Sequence, residues 1–254
     1  MKIRILGCSG GVGRGLRTTS LLVDDDILID AGSGVGDLTL EEMAAVRHIF
    51  LTHSHLDHIA FIPLMLDSIF EQCAEPLVIH GLPATLEALR RHIFNWVIWP
   101  DFGRLPSADR PVLRYAEMKP GEVLQMGLRS FEMIAVGHAV PAAGYRVACS
   151  TGVLAFSGDT CTNDNFWSAL NAHDRLDVLI VETAFSNADL AISLLAKHYC
   201  PSLLAADLRK LRHRPEIYIT HNKPGEEEII LAECNAALAD YKLRRLISGE
   251  ELMI

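Results

Sequence analysis

Apolar residues follow two kinds of pattern along this chain of 254 residues. Short runs rich in branched side chains and bounded by Gly, Asp or Pro predict β-strands. Longer stretches with an apolar residue every three or four positions predict α-helices. The predicted strands are Ile3–Leu6, Ser20–Val23, Ile27–Ile29, His48–Leu51, Leu77–His80, Ser130–Val136, Gly144–Cys149, Gly152–Ser157, Val178–Glu182 and Glu216–Thr220. The predicted helices lie at about Ile59–Cys73, Pro83–His92, Ser186–Lys197, Pro201–Leu211 and Gly225–Leu238.

The order of these elements predicts the fold class. Strands open each half of the chain, residues 1–125 and 126–254, and helices follow the later strands. This order favours an α/β protein in which two sheets pack face to face with helices outside, a four-layer α/β sandwich. No long repeat, low-complexity tract or flexible linker is visible, so we predict a single domain over residues 1–254.

Composition narrows the range of partners. The formal net charge of −9 argues against a large nucleic-acid partner, because affinity for polyphosphate depends on clustered Lys and Arg. No apolar run reaches the roughly 18 residues that a membrane span needs, and no membrane partner is expected. The N-terminus enters a strand pattern without a leader-like segment, which favours a cytoplasmic protein. The six cysteines are dispersed without a CxxC pair, as expected of reduced thiols.

The strongest chemical signal is the run His-Ser-His-Leu-Asp-His at residues 53–58. It follows the predicted strand His48–Leu51 and precedes a helical stretch, so it occupies a turn where several side chains can point to one spot. One histidine on a turn is usually only solvated, but three imidazoles and a carboxylate within six positions are not. Because neutral imidazole and carboxylate suit zinc, and also manganese or iron, the motif predicts a metal site.

Three more polar residues follow or end predicted strands next to Gly or Thr, and they are candidate ligands. His138 follows a strand and a turn glycine, Asp159 follows Gly158, and His221 follows Thr220. A lone histidine at a strand end is more often a solvated loop residue, but the shared placement of the three favours metal binding. The histidines without such a context are assigned to packing or to the surface: His48, His80, His92, His173 and His213.

The ligand order HxHxDH, then His, Gly-Asp and Thr-His, resembles that of the metallo-β-lactamase superfamily. The likeness covers nearly the whole chain, including Leu28–Gly32. It implies the αββα metallo-β-lactamase sandwich and two divalent metal ions, with zinc favoured and manganese or iron as alternatives. The resemblance implies His53, His55 and His138 on the first metal, Asp57, His58 and His221 on the second, and Asp159 bridging both. His55, where the oxygen-reducing branch has Glu, indicates a hydrolase.

Four longer segments resemble class II 3′,5′-cyclic-nucleotide phosphodiesterases: Thr52–Ile59, His92–Phe102, Val181–Asn187 and Thr220–Gly225. The resemblance implies hydrolysis of cyclic AMP or cyclic GMP, a small-molecule partner, and a homodimer by the habit of the superfamily. One segment departs from the class, which tends to show Gly-His-Leu-Thr-Pro where this chain has Lys197-His-Tyr-Cys-Pro201. The histidine of that segment, His198, is retained.

The implied chemistry gives roles to several further residues. A hydroxide formed between the two metals would attack phosphorus opposite the 3′ oxygen, and Asp57 would orient it. His198 would protonate the leaving oxygen, with Glu182 holding its imidazole charged, although a plain helix-surface histidine is the alternative. Asp30 is expected to fix the orientation of the histidine turn, and Thr52 and Thr220 to assist through their hydroxyls.

Residues for substrate binding are predicted in two places. The stretch from Asn95 to Pro111 interrupts the regular pattern and is expected to form a loop at the rim of the site. Trp96, Trp99 and Phe102 could stack a purine there, although a hydrophobic plug or a dimer contact would use the same side chains. Lys223 could meet a phosphate oxygen, and a surface lysine is the alternative.

Three other functions share these residues. A tRNA 3′-processing endonuclease of the same superfamily also uses a histidine held by an acidic residue, but the acidic charge opposes it. Hydrolysis of a lactam, thioester or lactone would need the same ligands. A catalytically silent scaffold usually lacks ligands, whereas this chain has every expected one.

Overall fold

The structure is a computed structural model that describes residues 1–254. Its strands are β1 (Lys2–Gly7), β2 (Ser20–Val23), β3 (Ile27–Ile29), β4 (His48–Phe50), β5 (Leu77–Gly81), β6 (Pro106–Ser107), β7 (Arg110–Pro111), β8 (Leu113–Glu117), β9 (Val123–Met126), β10 (Arg129–Val136), β11 (Ala142–Ala148), β12 (Val153–Phe156), β13 (Val178–Glu182), β14 (Glu216–Thr220), β15 (Leu243–Arg245) and β16 (Glu251–Met253). Its α-helices are α1 (Leu40–Ala45), α2 (Leu56–Ile59), α3 (Phe61–Ser68), α4 (Pro83–His92), α5 (Asn165–Asn171), α6 (Leu190–Ala196), α7 (Pro201–Leu208) and α8 (Glu227–Ala237).

Two seven-stranded sheets divide the chain nearly at its middle. The first has the order β16-β1-β2-β3-β4-β5-β8, and the second has the order β15-β14-β13-β12-β11-β10-β9. In the first sheet β3, β4, β5 and β8 are parallel, and in the second β12, β13, β14 and β15 are parallel. The last strand, β16, pairs with β1 and so joins the C-terminus to the first sheet.

Three apolar clusters separate the layers and confirm the predicted four-layer sandwich. The middle cluster lies between the sheets and includes Phe50, Phe131 and Tyr145. A second cluster packs α3 and α4 on the outer face of the first sheet, and a third packs α5, α7 and α8 on the outer face of the second. The layers bring parallel strand ends from both sheets to the same edge of the molecule, because residues that follow strands of either sheet meet there.

The predicted helix Ile59–Cys73 differs from the structure in a way that matters for the site. Helix α2 begins earlier, inside the histidine motif, and α3 starts anew at Phe61. The amide of Phe61 donates to the carbonyl of Ala31 instead of continuing the helix, and Pro63 has no N–H to offer. The break anchors the histidine turn to the end of β3.

Several short elements escaped prediction. Helix α1 has only six residues, but Thr39 and Glu42 form a capping box that marks its start. Strand β8 is polar and exposed along much of its length, and β9 alternates without a fully buried side chain, so neither shows an apolar run. No helix is both long enough and apolar enough to cross a bilayer.

A candidate metal centre

Strand ends from both sheets position the candidate side chains. In the first sheet, Asp30 follows β3 and the turn 52–58 follows β4. In the second sheet, four strands each supply one candidate residue, either at the end of the strand or just after it. These residues are His138 after β10, Asp159 after β12, Glu182 at the end of β13 and His221 after β14.

The carboxylate of Asp159 lies at the centre of the cluster. Its Oδ2 atom is 3.3 Å from Nε2 of His221, 3.4 Å from Nε2 of His58 and 3.6 Å from Nε2 of His53. Nε2 of His138 lies 3.9 Å away. All five side chains are buried, so residues that are far apart along the chain converge on one enclosed point.

The seven predicted ligands fall into two groups. Donor atoms of each group lie within 4.8 Å of one another, and the groups are His53, His55, His138 and Asp159, and Asp57, His58 and His221. Asp57 Oδ2 lies 3.6 Å from Nε2 of His58 and 3.8 Å from Nε2 of His221. The structure therefore brings together every residue predicted to bind metal, in the two sets that the superfamily resemblance implies.

Hydrogen bonds to Nδ1 turn the Nε2 lone pairs towards the cluster. Nδ1 of His58 donates to Asp30 Oδ2 at 2.7 Å, and Nδ1 of His138 donates to the carbonyl of Lys197 at 2.9 Å. Thr52 Oγ1 already donates to Asp30, so it accepts from Nδ1 of His53 at 2.9 Å. Protonated Nδ1 leaves Nε2 free to bind a cation, the arrangement typical of metal-ligating histidines.

The unpartnered nitrogens test whether a metal fits. Nε2 of His53 and Nε2 of His58 are buried and make no hydrogen bond. A buried polar atom without a partner costs about 1–3 kcal/mol, so two of them beside a carboxylate are unfavourable unless a cation binds. Imidazole and carboxylate are the ligands that zinc, manganese and iron accept. The donor set fits a divalent metal.

Burial and mutual attraction shift the titration of the cluster. Burial lowers the pKa of His53 well below its usual range, and it lowers the pKa of His138 to about 4 and that of His221 to about 3. Burial would raise the pKa of Asp159, but attraction to His221 and His58 outweighs it and holds the pKa well below its usual value. Burial also disfavours a charged His58, but Asp159 and Asp30 outweigh it and raise the pKa of His58 well above its usual value. Cation binding requires neutral imidazoles and an ionised carboxylate, so a metal would displace the proton of His58.

Asp30 ties the histidine turn to the neighbouring strand. Its fully buried carboxylate accepts hydrogen bonds from the amide and hydroxyl of Thr52, both at 2.8 Å, and from His58. Asp30 itself has a left-handed backbone, with φ 58°, just beyond the end of β3. These contacts are the ones predicted for Asp30 and Thr52.

A second buried carboxylate, Glu182, holds His198 beside the cluster. Glu182 Oε1 accepts from Nδ1 of His198 at 2.7 Å, and backbone amides of Thr160, Ala184 and Tyr199 also donate to this carboxylate. The His198 ring stacks on His221 at 5.4 Å between centroids. Burial lowers the pKa of His198, but Glu182 outweighs it and raises the pKa above its usual value.

Two local backbone features explain why the second sheet ends in these residues. Gly158 has φ 59°, and a Cβ there would lie 2.9 Å from the side chain of Thr52, so only glycine allows Asp159 to approach the first sheet. His221 has φ 62°, and its amide donates to the carbonyl of Cys8. Both turns aim a side chain inwards at the end of a buried strand.

The side chains of Thr220 and Lys223 both donate to backbone carbonyls. Thr220 Oγ1 donates to the carbonyl of Cys8 and makes no hydrogen bond with a candidate ligand. Thr19, which sequence reasoning missed, places its hydroxyl 3.4 Å from Nδ1 of His221. Its position just before β2, remote from the motifs along the chain, gave no signal. Lys223 Nζ donates to the carbonyl of Gly10 at 2.9 Å and lies 5.7 Å from the centre of the Phe185 ring.

The three aromatic residues predicted for substrate stacking do not form one platform. Phe102 is buried in the outer core of the first sheet, 5.5 Å from Phe70 and 5.9 Å from Phe94 between ring centroids, so it has no free face. Trp99 packs against the same core, whereas Trp96 is 58% exposed. The stacking prediction for Phe102 is corrected here, because the outer core already occupies its ring.

The comparison with known protein families decides the classification. The family model for the β-lactamase superfamily domain matches residues 25–239. The chain belongs to the metallo-β-lactamase superfamily. The match spans both sheets and includes every candidate metal ligand, and the fold predicted from that resemblance is confirmed.

Individual relatives fall into two named activities. The chain is 26% identical to a probable 3′,5′-cyclic-nucleotide phosphodiesterase of Yersinia pestis, over 88% of this chain and 78% of the relative. It is 28% identical to a ribonuclease Z of Bradyrhizobium sp. (strain ORS 278), over 83% of this chain and 84% of the relative. The crystal structure of unliganded yeast PDE1 shares the fold, with a TM-score of 0.83, 20% identity and coverage of 100% and 99%.

Proposed function

We propose that this superfamily member is a metal-dependent phosphodiesterase that hydrolyses 3′,5′-cyclic nucleotides to 5′-nucleotides. Relatives named for this activity support the proposal, and the relative from Yersinia pestis matches along most of both chains. A second such relative, from Aliivibrio fischeri, is 25% identical over 81% of this chain. The net charge of −9 suits a small substrate better than a long polyanion.

The observation that carries the proposal is the Glu182–His198 pair next to the metal cluster. A thiolate leaves a thioester without a proton, whereas a 3′ alkoxide is strongly basic and needs a proton donor. His198 is 7% exposed and stacks on His221, and this position beside the cluster supports a role as proton donor to the leaving oxygen of a bound phosphate. Its other ring nitrogen, Nε2, is free to give a proton, because Nδ1 is engaged by Glu182.

Seven side chains would hold the cofactor. His53, His55 and His138 would bind one cation, Asp57, His58 and His221 a second, and Asp159 would contact both. Zinc is the favoured metal. Two divalent cations, when bound, lower the pKa of a water between them and neutralise charge on the phosphate oxygens.

The chain's own groups would then complete the reaction. The Asp57 side chain is one-third exposed, so it would orient the attacking water by accepting a hydrogen bond from it. Water would add to phosphorus in line with the 3′ oxygen, the P–O3′ bond would break, and Nε2 of His198 would transfer its proton to that oxygen. Glu182 would keep the imidazole ring in place and compensate its charge.

The decisive experiment is a substrate panel on metal-stripped protein to which zinc, manganese or iron is restored. The panel contains cyclic AMP, cyclic GMP, a 2′,3′-cyclic nucleotide, a precursor tRNA, a thioester and bis(p-nitrophenyl) phosphate. We expect metal-dependent release of 5′-nucleotide from a 3′,5′-cyclic substrate, measured by chromatography. Turnover of bis(p-nitrophenyl) phosphate without cleavage of any 3′,5′-cyclic nucleotide would contradict the proposal.

A ribonuclease Z-like endonuclease is the second candidate. The Bradyrhizobium relative named ribonuclease Z is 28% identical and covers most of both chains, so sequence likeness alone does not separate the two activities. Cleavage of the precursor tRNA at its 3′ end, with no turnover of cyclic nucleotides, would select this candidate.

A further inference from the structure

The loop after α4 exposes three consecutive large apolar side chains. Trp96 is 58% exposed, Val97 is 84% exposed and Ile98 is 61% exposed. Scattered single apolar residues are normal on a protein surface, but a contiguous cluster marks a surface that contacts something. We name residues 95–99 the apolar loop.

Hydrogen bonds pair the backbone amides of the apolar loop. Asn95 Oδ1 accepts from the amides of Val97 and Ile98, at 3.0 and 2.9 Å. The amide of Trp96 donates to the carbonyl of Trp99, and the amide of Trp99 donates to the carbonyl of Ile93. An N–H group that enters an apolar medium without a partner is costly, so pairing of the amides removes that part of the penalty and leaves the carbonyls to the headgroup level.

The apolar loop is also held rigidly on the fold. Phe94 and Phe102, on either side of it, are buried in the outer core of the first sheet, and Trp99 packs against that core. Trp96 has φ 66°, a left-handed conformation that is rare for a large aromatic residue. The surrounding hydrogen bonds fix this strained backbone and turn the apolar side chains outwards.

Arginines are frequent in the segment that contains the apolar loop, in an otherwise acidic chain. Residues 90–114 contain five arginines and two aspartates, whereas the whole chain carries −9. All five arginines are exposed, and Arg90, Arg104 and Arg114 line one shallow cavity with Tyr115. Asp101 pairs with Arg104 at 3.2 Å, and Arg110 and Arg114 line a second cavity together with Asp109, Glu71 and Glu75. The positive charge next to the loop is therefore mainly that of Arg90 and Arg91 in the last turn of α4.

We propose that the apolar loop docks this protein onto an anionic lipid surface. Val97 and Ile98 would enter the boundary of the acyl region, Trp96 would lie at the level of the headgroups, and the arginines would contact lipid phosphate and carboxylate. Peripheral docking of this kind requires no spanning helix.

Two other partners fit the same surface less well. RNA would match the arginines, but Val97 and Ile98 have no π face on which a base could stack. A second copy of the chain would match the apolar side chains, but a two-fold interface on this loop would bring the two arginine clusters together. Charge and side-chain chemistry together favour the lipid surface.

Sedimentation with vesicles tests the proposal on the full chain. We expect binding to vesicles of phosphatidylcholine with 30% phosphatidylserine, in the range of lipid composition used for anionic membranes, and weak binding to pure phosphatidylcholine. The double variant Val97→Ser/Ile98→Ser should bind the anionic vesicles about tenfold more weakly. The matched control Val123→Ser/Leu128→Ser removes two exposed aliphatic side chains, 49% and 91% exposed, from strand β9 and the turn after it. It should bind like the unchanged protein.

Tryptophan fluorescence gives a second measurement. Trp167 is buried and Trp99 packs on the core, so quenching by brominated lipid would report Trp96. Unchanged vesicle binding in Val97→Ser/Ile98→Ser, or no vesicle binding at all, would overturn the proposal. Vesicle-independent binding to RNA, or a dimer in light scattering that this variant abolishes, would assign the loop to that partner instead. Circular dichroism and hydrolysis of bis(p-nitrophenyl) phosphate verify that each variant is folded.

Discussion

Each sheet contributes one buried carboxylate that accepts a hydrogen bond from a histidine, and both pairs lie at the same edge of the molecule. In the first sheet Asp30 holds His58, and in the second Glu182 holds His198, each through Nδ1 at 2.7 Å. Burial raises the pKa of Asp30 and of Glu182, and both carboxylates accept backbone amides as well. The two pairs are nearly the same in their inner contacts.

They differ in what the outer ring nitrogen meets. Nε2 of His58 is buried without a hydrogen bond, 3.4 Å from Asp159 and 3.6 Å from Asp57. The His198 side chain keeps 9% of its surface exposed and stacks on the ring of His221. Because enclosure by other ligands differs, we expect the same carboxylate–imidazole unit to serve metal binding in one sheet and proton transfer in the other.

Removal of His58 should have the largest effect. The variant His58→Ala deletes a candidate ligand and leaves the buried carboxylate of Asp30 without its imidazole, so we expect loss of bound metal and of all turnover. Metal content by mass spectrometry and phosphodiester hydrolysis measure the two losses. His92→Ala, at an exposed histidine in α4, is the control. Full metal content in His58→Ala would show that His58 is not needed for metal binding, and the proposed difference between the two pairs would be wrong.

Removal of His198 should separate proton transfer from metal binding. We expect His198→Ala to retain its metal and to hydrolyse cyclic AMP about 10²–10⁴-fold more slowly. Hydrolysis of bis(p-nitrophenyl) phosphate should change little, because nitrophenolate leaves without a proton. If both substrates slow equally, His198 has a positioning role or is a ligand, as its donor atom near Asp159 and His221 would also permit.

Neutral replacements of the two carboxylates should give opposite signatures. Asp30→Asn should weaken metal affinity by about 10–100-fold, since a partner that orients a ligand is altered. Glu182→Gln should leave metal affinity nearly unchanged and lower kcat for cyclic nucleotides more than for the nitrophenyl ester. Competition with a zinc chelator measures the affinity, and steady-state kinetics measure kcat. Equal metal loss in both variants would show that the two pairs do not differ in their contribution to metal binding.

The first sheet was the easier half to predict from sequence. Its ligands lie within residues 53–58, and imidazole and carboxylate at that density have few explanations other than metal. The second sheet supplies one ligand per strand end, and His138, Asp159 and His221 became convincing only as a set. The apolar runs Val178–Glu182 and Glu216–Thr220 gave strand bounds that the structure matches.

Contacts that join distant segments were the part that sequence could not supply. Thr19 reaches His221 because the residue before β2 and the residue after β14 meet at one edge, and no local pattern near Thr19 shows this. Phe102 looked like a site residue because aromatic residues cluster near it, yet packing against Phe70 and Phe94 decides its position. Burial and long-range register, which decide these cases, are properties of the folded chain.

Replacement of His80, which pairs with His48 and not with a carboxylate, should have the smallest effect. That effect should be limited to stability. His48 Nδ1 lies 2.9 Å from His80 Nε2, and the His80 ring stacks on Phe50. Burial, with a smaller contribution from His48, lowers the pKa of His80 to about 4, below the value of about 6.5 in an unfolded chain. Between these values the unfolded chain binds a proton that the folded chain does not, so the free energy of unfolding falls as the pH falls from 6.5 towards 4.

The variant His80→Gln isolates this contribution. It should be less stable than the unchanged protein at pH 7.5, because the stacked ring is lost, and the deficit should shrink by about 2 kcal/mol at pH 5.0. Urea unfolding in the presence of a chelator measures both proteins without metal, so that titration of the cluster affects them equally; His92→Gln is the control. A constant deficit at both pH values would mean that His80 takes up a proton in the folded state as easily as in the unfolded one. A carboxylate partner would then not be what sets His58 and His198 apart from His80, since His80 would take up a proton without such a partner.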